Sequence, residues 1–498
     1  MNTTIHRGAR CGLALGLLAL LAACGQSGQD GDASVATKEV PITTSSAEAR
    51  DLYLKGRALF EDLRVVDGRD LFLQAVAVDD GFAMGYFMIA QSALTNAEFF
   101  DAIGKANERA ANASAGEQLY IKALVAASEN DQATQRAALE ELVAMYPGDE
   151  RAHLQLATFQ FGVQDFAGAV THLNHATELA ADFAPAYNML GYSHRSLEDF
   201  ASARAAFERY VELVPHEANP YDSLAELLME MGEYDASIET YRKAIKVNPN
   251  FGSSYAGLSI NYSLQGQTDV AQEAADDMLA AARNFTERQA ALYQAAAVKL
   301  FARDIDAAMQ ICDVILGEAV VAGNHSAMGT AEEYMGDIML ASGDAAKAEA
   351  HYDAALDHRL QADLNEANKA QAARAHLFKT AIAAMVGGDG ESAASRTAEY
   401  IAAAEAQGTA FEKMRVHELS GYFAMNQEDN DAAAMHFAKS SQLQPIPLYW
   451  AARVNQALGR LDKARELAQR AANRNTLSLN LPFFRADAVA LLAELSGA

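Results

Sequence analysis

The chain has 498 residues, 51% of them hydrophobic, so it is long enough for several ordinary domains or for one elongated array. Its 39 basic and 66 acidic residues give a formal net charge of −27, which makes nucleic acid and bare anionic lipid poor partners. Three cysteines in a chain of this length argue against a scaffold built from disulfides.

The N-terminus has the features of a secretory signal. An apolar run from Cys11 to Cys24 follows a short basic segment, and it is shorter than the roughly 20 residues needed to span a bilayer. Its end, Leu-Ala-Ala-Cys, resembles the lipobox of bacterial lipoproteins, which implies cleavage after residue 23 and acylation of Cys24. Because Gly25 rather than Asp follows, the resemblance implies an outer membrane lipoprotein with a periplasmic body. An ordinary secretory signal that contains a cysteine is the alternative.

Processing at this site would change the charge and the cysteine content. The signal peptide, 1–23, contains two arginines and no acidic residue, so its removal takes the net charge from −27 to −29. This acidity favours protein partners with cationic or mixed-charge surfaces. Cys312 would remain as the single free thiol, and its apolar helical context predicts a small core residue. Residues 24–46, rich in Gly, Ser, Asp and Thr, predict a flexible tether with a reach on the order of 25 Å.

A repeated pattern with a period of 34 follows the tether. In the unit at 184–217, one helix face is marked by Tyr187, Leu190, Gly191 and His194, and a second segment carries Ala203, Phe207 and Pro215. The same phases recur in the units 150–183, 218–251 and 252–285. These residues resemble the tetratricopeptide repeat, whose pattern runs Trp-x₂-Leu-Gly-x₂-Tyr, then Ala-x₃-Phe, then Pro. The small residues at the Gly191 and Ala203 phases are expected to let the two helices of a unit approach closely.

The resemblance covers nearly the whole chain after the tether. Clear further copies lie at 329–362 and 445–475, and weaker ones at 49–82, 83–115, 116–149, 286–320, 363–408 and 412–445. We therefore predict an all-α, right-handed superhelical solenoid of about eleven antiparallel helix pairs. Its predicted parts are an N-terminal array (47–285), a degenerate repeat and connector (286–328), a C-terminal array (329–480) and a capping helix (481–498). The glycine-containing stretch 316–330 is expected to be irregular and to separate two lobes.

Motifs for catalysis, metals or cofactors are absent or incomplete. His172 and His175 lie three residues apart on a predicted helix, and His351 and His358 lie two turns apart, but neither pair has an obvious third ligand in the sequence. The acidic sequence at 426–432 lacks the glycine and the closing glutamate of an EF-hand, so it predicts an acidic turn. The glycine-rich sequence at 387–392 has no preceding strand and no following lysine, and it predicts a turn between helices. We expect no enzymatic activity, no cofactor and no bound metal.

The resemblance also implies where a partner would bind. In tetratricopeptide proteins the concave groove is lined mainly by the first helix of each pair, which is called helix A. Carrying those phases over gives a predicted protein-binding set of Tyr120, Phe161, Asn188, Tyr192, Arg195, Asn219, Asp222, Glu226 and Glu230. The set is aromatic toward the N-terminal side and acidic toward the middle, and it lacks the lysine and asparagine cluster that clamps a C-terminal carboxylate.

The function expected from these features is a non-enzymatic scaffold of the bacterial cell envelope that binds partner proteins through its groove. One alternative is a glycan-binding surface lipoprotein, but such sites stack sugars on exposed aromatic rings, and the single tryptophan, Trp450, is expected to lie in the core. A regulator acting in trans on a cell-wall or assembly enzyme is a further alternative.

Overall fold

The computed structural model describes residues 39–497, and within that range the chain forms α-helices, two short 3₁₀ helices and no strand. The predicted all-α class of stacked antiparallel helix pairs is confirmed. The described helices form twelve consecutive pairs and one last helix, against about eleven units expected from the sequence. The predicted signal peptide and Cys24 lie outside the described residues.

The described chain divides into two compact units, 39–220 and 221–497. The first contains α1 (Ala47–Glu61), α2 (Val65–Val78), α3 (Ala83–Gln91), α4 (Asn96–Arg109), α5 (Ala115–Ser128), α6 (Gln132–Met145), α7 (Glu150–Gly162), α8 (Phe166–Leu179), α9 (Ala184–Ser196) and α10 (Phe200–Leu213). Helix α11 (Ala218–Glu230) crosses the division.

The second unit continues with helices that are longer in its middle part. They are α12 (Tyr234–Val247), α13 (Gly252–Leu264), α14 (Thr268–Ala281), α15 (Phe285–Phe301), α16 (Ile305–Val321), α17 (His325–Ala341), α18 (Ala345–Gln361), α19 (Glu366–Gly387), α20 (Gly390–Gln407), α21 (Ala410–Asn426), α22 (Asn430–Phe437), α23 (Pro445–Ala457), α24 (Leu461–Ala472) and α25 (Arg485–Ser496).

Many pairs use the same short turn between their two helices. A residue with positive φ ends the first helix, and an aspartate that caps the second helix follows it. Gln164 has φ 64° and precedes Asp165, whose carboxylate accepts a hydrogen bond from the Gly168 N–H at 3.0 Å. Gly343 has φ 84° and precedes Asp344, which caps α18 in the same way. The aspartate side chain accepts hydrogen bonds from N–H groups at the start of the second helix that have no partner within the helix. The turn therefore fixes where the second helix of each such pair begins.

The two helices of a pair pack closely where the sequence places a small residue. A Cβ atom on Gly191 of α9 would lie 2.5 Å from the ring of Phe207 on α10. Of the four leucines that mark the repeat, Leu156, Leu190 and Leu258 are buried, and Leu224 is half-buried. The predicted close approach of the helices at the Gly191 phase is therefore confirmed.

Two segments, 316–330 and 40–45, differ from the structure that the sequence predicts for them. The stretch 316–330 is not irregular, because α16 continues to Val321 and α17 begins at His325, where the Asn324 side chain caps it by accepting from the Ala327 N–H at 3.0 Å. Gly317 lies inside α16, so this glycine does not interrupt the helix. At the N-terminus, residues 40–45 of the predicted tether are hydrogen-bonded to side chains of the first unit, so this part of the tether lies on the folded body.

Candidate protein-binding surface

All nine predicted groove residues lie on, or at the start of, the first helix of a pair. Tyr120 is on α5, Phe161 on α7, and α9 carries Asn188, Tyr192 and Arg195; α11 carries Asn219, Asp222, Glu226 and Glu230. The division between the compact units falls between Asn219 and Asp222, so the residues before and after it form two separate groups.

The group in 39–220 includes three half-buried residues. Phe161 packs edge-on against Phe166, with ring centroids 5.2 Å apart. The Tyr192 ring lies under the Arg195 guanidinium at 4.9 Å, a cation–π contact between positions i and i+3 of α9. Asn219 donates a hydrogen bond to the Tyr210 hydroxyl at 3.1 Å. These residues therefore place two aromatic rings and an amide at half-buried positions of the first unit.

The other members of this group are more enclosed. Tyr120 packs edge-on against Phe87 with ring centroids 6.0 Å apart, and burial raises its pKa well above the ordinary value. Asn188 and Arg195 are also buried. The accessible part of the predicted set in this unit is therefore the surface around Phe161, Tyr192 and Asn219.

The acidic group on α11 is turned toward the chain itself. Asp222 accepts hydrogen bonds from the Ser253 and Ser254 hydroxyls at 2.9 and 2.6 Å, and burial raises its pKa to about 7. Glu226 is buried, and Glu230 is 7% exposed and forms an ion pair with Arg474 at 3.2 Å. These carboxylates are mainly used in intramolecular contacts, which their helical spacing alone did not indicate.

A C-terminal segment, 473–484, supplies the partner of Glu230. The Asn475 side-chain amide donates to the Met229 carbonyl and contacts the Tyr234 hydroxyl, both at 3.1 Å. Farther along, the Tyr334 hydroxyl donates to the Leu479 carbonyl at 3.1 Å. Leu481 and Phe484 are buried in the same hydrophobic core as Met229. The chain thus packs its own irregular segment, which includes a short 3₁₀ helix at Leu481–Phe483, against first helices of this unit, a feature that the sequence reasoning missed.

The same unit contains a buried cluster of ionic side chains. Lys379 of α19 is 2% exposed, and its Nζ lies 2.7 and 2.9 Å from the two carboxylate oxygens of Asp337 and 2.9 Å from Glu333 of α17. The Tyr352 hydroxyl also donates to Asp337 at 2.9 Å. Burial raises the pKa of Asp337, although the neighbouring Lys379 opposes that rise. Since the lysine bridges two carboxylates across two helices, the cluster ties α17 to α19.

Histidines form close pairs between the helices of single repeats. The Nδ1 atoms are 3.0 Å apart in His153 and His172, 3.3 Å in His325 and His358, and 3.1 Å in His417 and His436. His351 instead contacts Glu332 at 2.6 Å, and His175 is exposed. Within residues 39–497, no group of three metal-ligating side chains is placed to hold an ion.

The local features predicted from the sequence include a core position for Cys312, two turns between helices and a core position for Trp450. Cys312 is fully buried in the core, where burial raises its thiol pKa to about 12, so its predicted core role is confirmed. The predicted turns at 387–392 and 426–432 are confirmed as well: Asp389 caps α20 and Asp429 caps α22. Trp450 is half-buried, packs against the core and lies edge-on to Tyr449 with ring centroids 5.1 Å apart. None of the helices in the described part of the chain combines the length and the apolar character that crossing a bilayer requires.

Two of the repeats match a known family of proteins. The tetratricopeptide repeat family matches residues 184–216 and 218–251, which contain α9 with α10 and α11 with α12. Repeats of this family are in general non-enzymatic scaffolds that bind peptides or proteins. No curated protein matches the chain.

Solved structures also match parts of the chain. The chain is similar to MamA, at 23% identity over 34% of this chain and 94% of that one, with a TM-score of 0.29. A tetratricopeptide repeat protein from Parabacteroides merdae is 12% identical over 54% of this chain and 98% of its own, with a TM-score of 0.38. The anaphase-promoting complex hetero-tetramer Cut9–Hcn1 is 14% identical over 87% and 78%, with a TM-score of 0.41.

Proposed function

We propose that this protein is a non-enzymatic scaffold of the bacterial cell envelope, held at the outer membrane by acyl chains on Cys24, whose helical repeats bind partner proteins. The observation that carries the scaffold role is the series of twelve helix pairs that occupies the described chain from Ala47 to Ala472, two of which match the tetratricopeptide repeat. Such an array presents an extended surface of helix faces to a partner.

The surface around Phe161, Tyr192 and Asn219 is the proposed contact region in the first unit. Two half-buried aromatic rings suit a protein segment, because aromatic side chains contribute strongly to protein interfaces. The net charge of −27 favours a partner with cationic or mixed charge, with association that weakens as ionic strength rises. The acids Asp222, Glu226 and Glu230 of α11 are buried, so we do not propose that they contact a partner directly.

Site-specific photo-cross-linking in cells tests the contact region. A photoreactive phenylalanine analogue in place of Phe161 or Tyr192 should cross-link the same small set of envelope proteins. The analogue in place of Met145 or Leu179, exposed residues on second helices, serves as the matched control. Equal cross-linking patterns at all four positions would contradict the assigned surface, whereas Tyr192→Ala should reduce recovery of the specific partners.

Membrane attachment is tested separately. Cys24→Ser removes the proposed acylation site, so we expect the protein to move from the membrane fraction to the soluble periplasmic fraction. Metabolic labelling with a palmitate analogue should label the unsubstituted chain and not Cys24→Ser, while Cys312→Ser should retain the label. Labelling that persists in Cys24→Ser would overturn the anchor, and it would leave the scaffold role intact.

A further inference from the structure

Residues 40–45, with the sequence Val-Pro-Ile-Thr-Thr-Ser, form an extended strap on the first compact unit. Three of its main-chain N–H groups donate to carboxylates of three different repeats. The N–H of Val40 donates to Asp149 at 2.7 Å, that of Thr43 to Glu117 at 2.8 Å, and that of Ser45 to Asp79 at 2.8 Å. A row of acceptors that receive hydrogen bonds from main-chain N–H groups can bind an extended segment.

The three carboxylates are positioned without help from the strap. In Asp149 the other oxygen accepts from the Arg151 N–H at 3.0 Å, which caps α7. In Glu117 the other oxygen accepts from the Ser114 N–H at 2.8 Å, as part of the capping box of α5. In Asp79 the other oxygen accepts from the Gly81 N–H at 3.0 Å. Because one oxygen of each group is fixed by its own local turn, the second oxygen is pre-organised to receive a donor.

Side chains of the strap add an alternating pattern. Val40 and Ile42 are half-buried and pack against the hydrophobic core of this unit, whereas Pro41 and Thr43 are exposed. A Cβ on Gly116 would lie 2.7 Å from the Val40 side chain, so the glycine leaves room for it. The period of two is that of an extended chain on a surface, and it places the two β-branched apolar residues, Val40 and Ile42, on the face that meets the core.

Hydroxyl groups complete the contact. The Ser114 hydroxyl donates to the Pro41 carbonyl at 3.2 Å, and the Thr43 hydroxyl accepts from the Ser114 N–H at 3.2 Å. The hydroxyl of Thr44 donates to Asp79 at 2.5 Å. Helix α1 does not depend on the strap for its start, because the Ser46 side chain caps it by accepting from the Ala49 N–H at 3.2 Å. None of residues 40–45 is buried, so the strap lies on the surface of this unit.

We propose that Asp79, Ser114, Gly116, Glu117 and Asp149, here called the strap track, form a second peptide-binding site. Its ligand is an extended segment of another protein with valine or isoleucine at alternate positions and threonine or serine beside them. The chain's own strap occupies this site in cis and competes with such a segment. The site is separate from the surface around Phe161 and Tyr192, so either proposal can fail without the other.

Fluorescence anisotropy with a labelled peptide spanning residues 38–46 tests the site. In the full chain with residues 40–45 replaced by alternating glycine and serine, we expect saturable binding at least about ten-fold tighter than in the unreplaced chain, where the strap competes. A control peptide with aspartate at the positions of Val40 and Ile42 should not bind. No saturable binding up to about 1 mM, or equal affinity for the two chains, would overturn the proposal.

Substitution of a residue of the strap track tests whether the peptide binds there. In the strap-replaced chain, Asp79→Ala should weaken peptide binding several-fold, and Asp182→Ala, at an exposed loop position outside the track, should not. Unchanged binding in Asp79→Ala would overturn the assigned site.

Hydrogen exchange on the unreplaced chain gives a readout that does not depend on how the replaced chain folds. The amides of Val40, Thr43 and Ser45 should be protected, and excess peptide should speed their exchange because it displaces the strap. Protection that excess peptide leaves unchanged would overturn the competition between strap and peptide.

Discussion

At the scale of single residues, the closest packing inside a repeat occurs at glycines. Gly191→Ala would bring a Cβ to 2.5 Å from the Phe207 ring, which is fully buried and has no room to move. We expect a loss of about 1–3 kcal/mol of stability, measured by urea denaturation followed by circular dichroism. Gly104→Ala, on an open face of α4 with no heavy atom within 4 Å, is the matched control and should gain about 0.5–1 kcal/mol. Equal stability of the two variants would contradict the packing of α9 on α10.

The buried ionic cluster gives a second residue-scale prediction. Lys379→Met leaves the carboxylates of Asp337 and Glu333 without their shared cation, so we expect a loss of about 3–5 kcal/mol. In the control, Lys463→Met removes a half-exposed ion pair with Glu466 and should cost no more than about 1 kcal/mol. Thermal denaturation of both variants checks the difference. A loss in Lys379→Met no larger than in the control would mean that the cluster does not hold α17 to α19.

These two sites differ in how far the sequence could predict them. Gly191 and Phe207 stand at fixed phases of a repeat, so periodicity predicted their contact. Lys379 and Asp337 are 42 residues apart on different helices, and no local spacing marks such a pair. For the same reason, Glu230 was predicted as a groove residue, although its contact with Arg474 lies far along the chain. A helical pattern indicates which residues share a face, and it does not indicate which distant segment covers that face.

At the scale of helices, the histidine pairs predict a dependence of stability on pH. Burial lowers the pKa values of His417 and His436, which join α21 to α22, and nearby Lys439 lowers them further. Because these pKa values are lower in the folded chain, the unfolded chain binds more protons below about pH 6.5. The contribution of the pair is therefore present above that pH and is lost as the pH falls through the folded pKa values.

The variant His436→Gln should lose less thermal stability between pH 7 and pH 5 than the unsubstituted chain, measured by melting curves at each pH. His216→Gln, at an exposed position, is the control and should follow the unsubstituted chain. Burial raises the pKa of Asp222 to about 7 and that of Glu61 to about 8, and such groups add stability as the pH falls. Because these acids act equally in both variants, the test is the difference between His436→Gln and His216→Gln in the thermal stability lost from pH 7 to pH 5. An identical pH dependence in both would contradict the role of the pair.

The C-terminal segment is an element whose attachment can be measured. Asn475→Ala removes the hydrogen bonds to the Met229 carbonyl and the Tyr234 hydroxyl at a buried position, so we expect a loss of about 1–3 kcal/mol. Asn473→Ala, two residues earlier and exposed, should change stability by less than about 0.5 kcal/mol. Chemical denaturation checks both values. If Asn475→Ala matched the control, the segment would not be fastened at this point.

At the scale of the whole molecule, the sequence predicted the fold class and most helix pairs, because the 34-residue period repeats over much of the chain. It did not predict the division. Glycines in 316–330 suggested an irregular connector, but Gly317 lies within α16, so the composition there reflects an open helix face. The compact units instead divide at Pro220 and Tyr221, inside the best-patterned repeats, where the sequence pattern continues without a break. The periodicity of the sequence indicates each local repeat, and it does not indicate how many neighbouring repeats pack together as one compact unit.

Calorimetry of three glycine variants can distinguish the two divisions. Gly257→Ala and Gly336→Ala would each bring a Cβ against a buried ring, of Tyr241 and Tyr352 respectively, and both glycines lie in 221–497. Since a packing defect lowers the transition of the cooperative unit that contains it, both should shift the same unfolding transition. Gly191→Ala should shift the other. A boundary at 316–330 would instead group Gly257 with Gly191, so a shared transition for those two variants would contradict the division at residue 220.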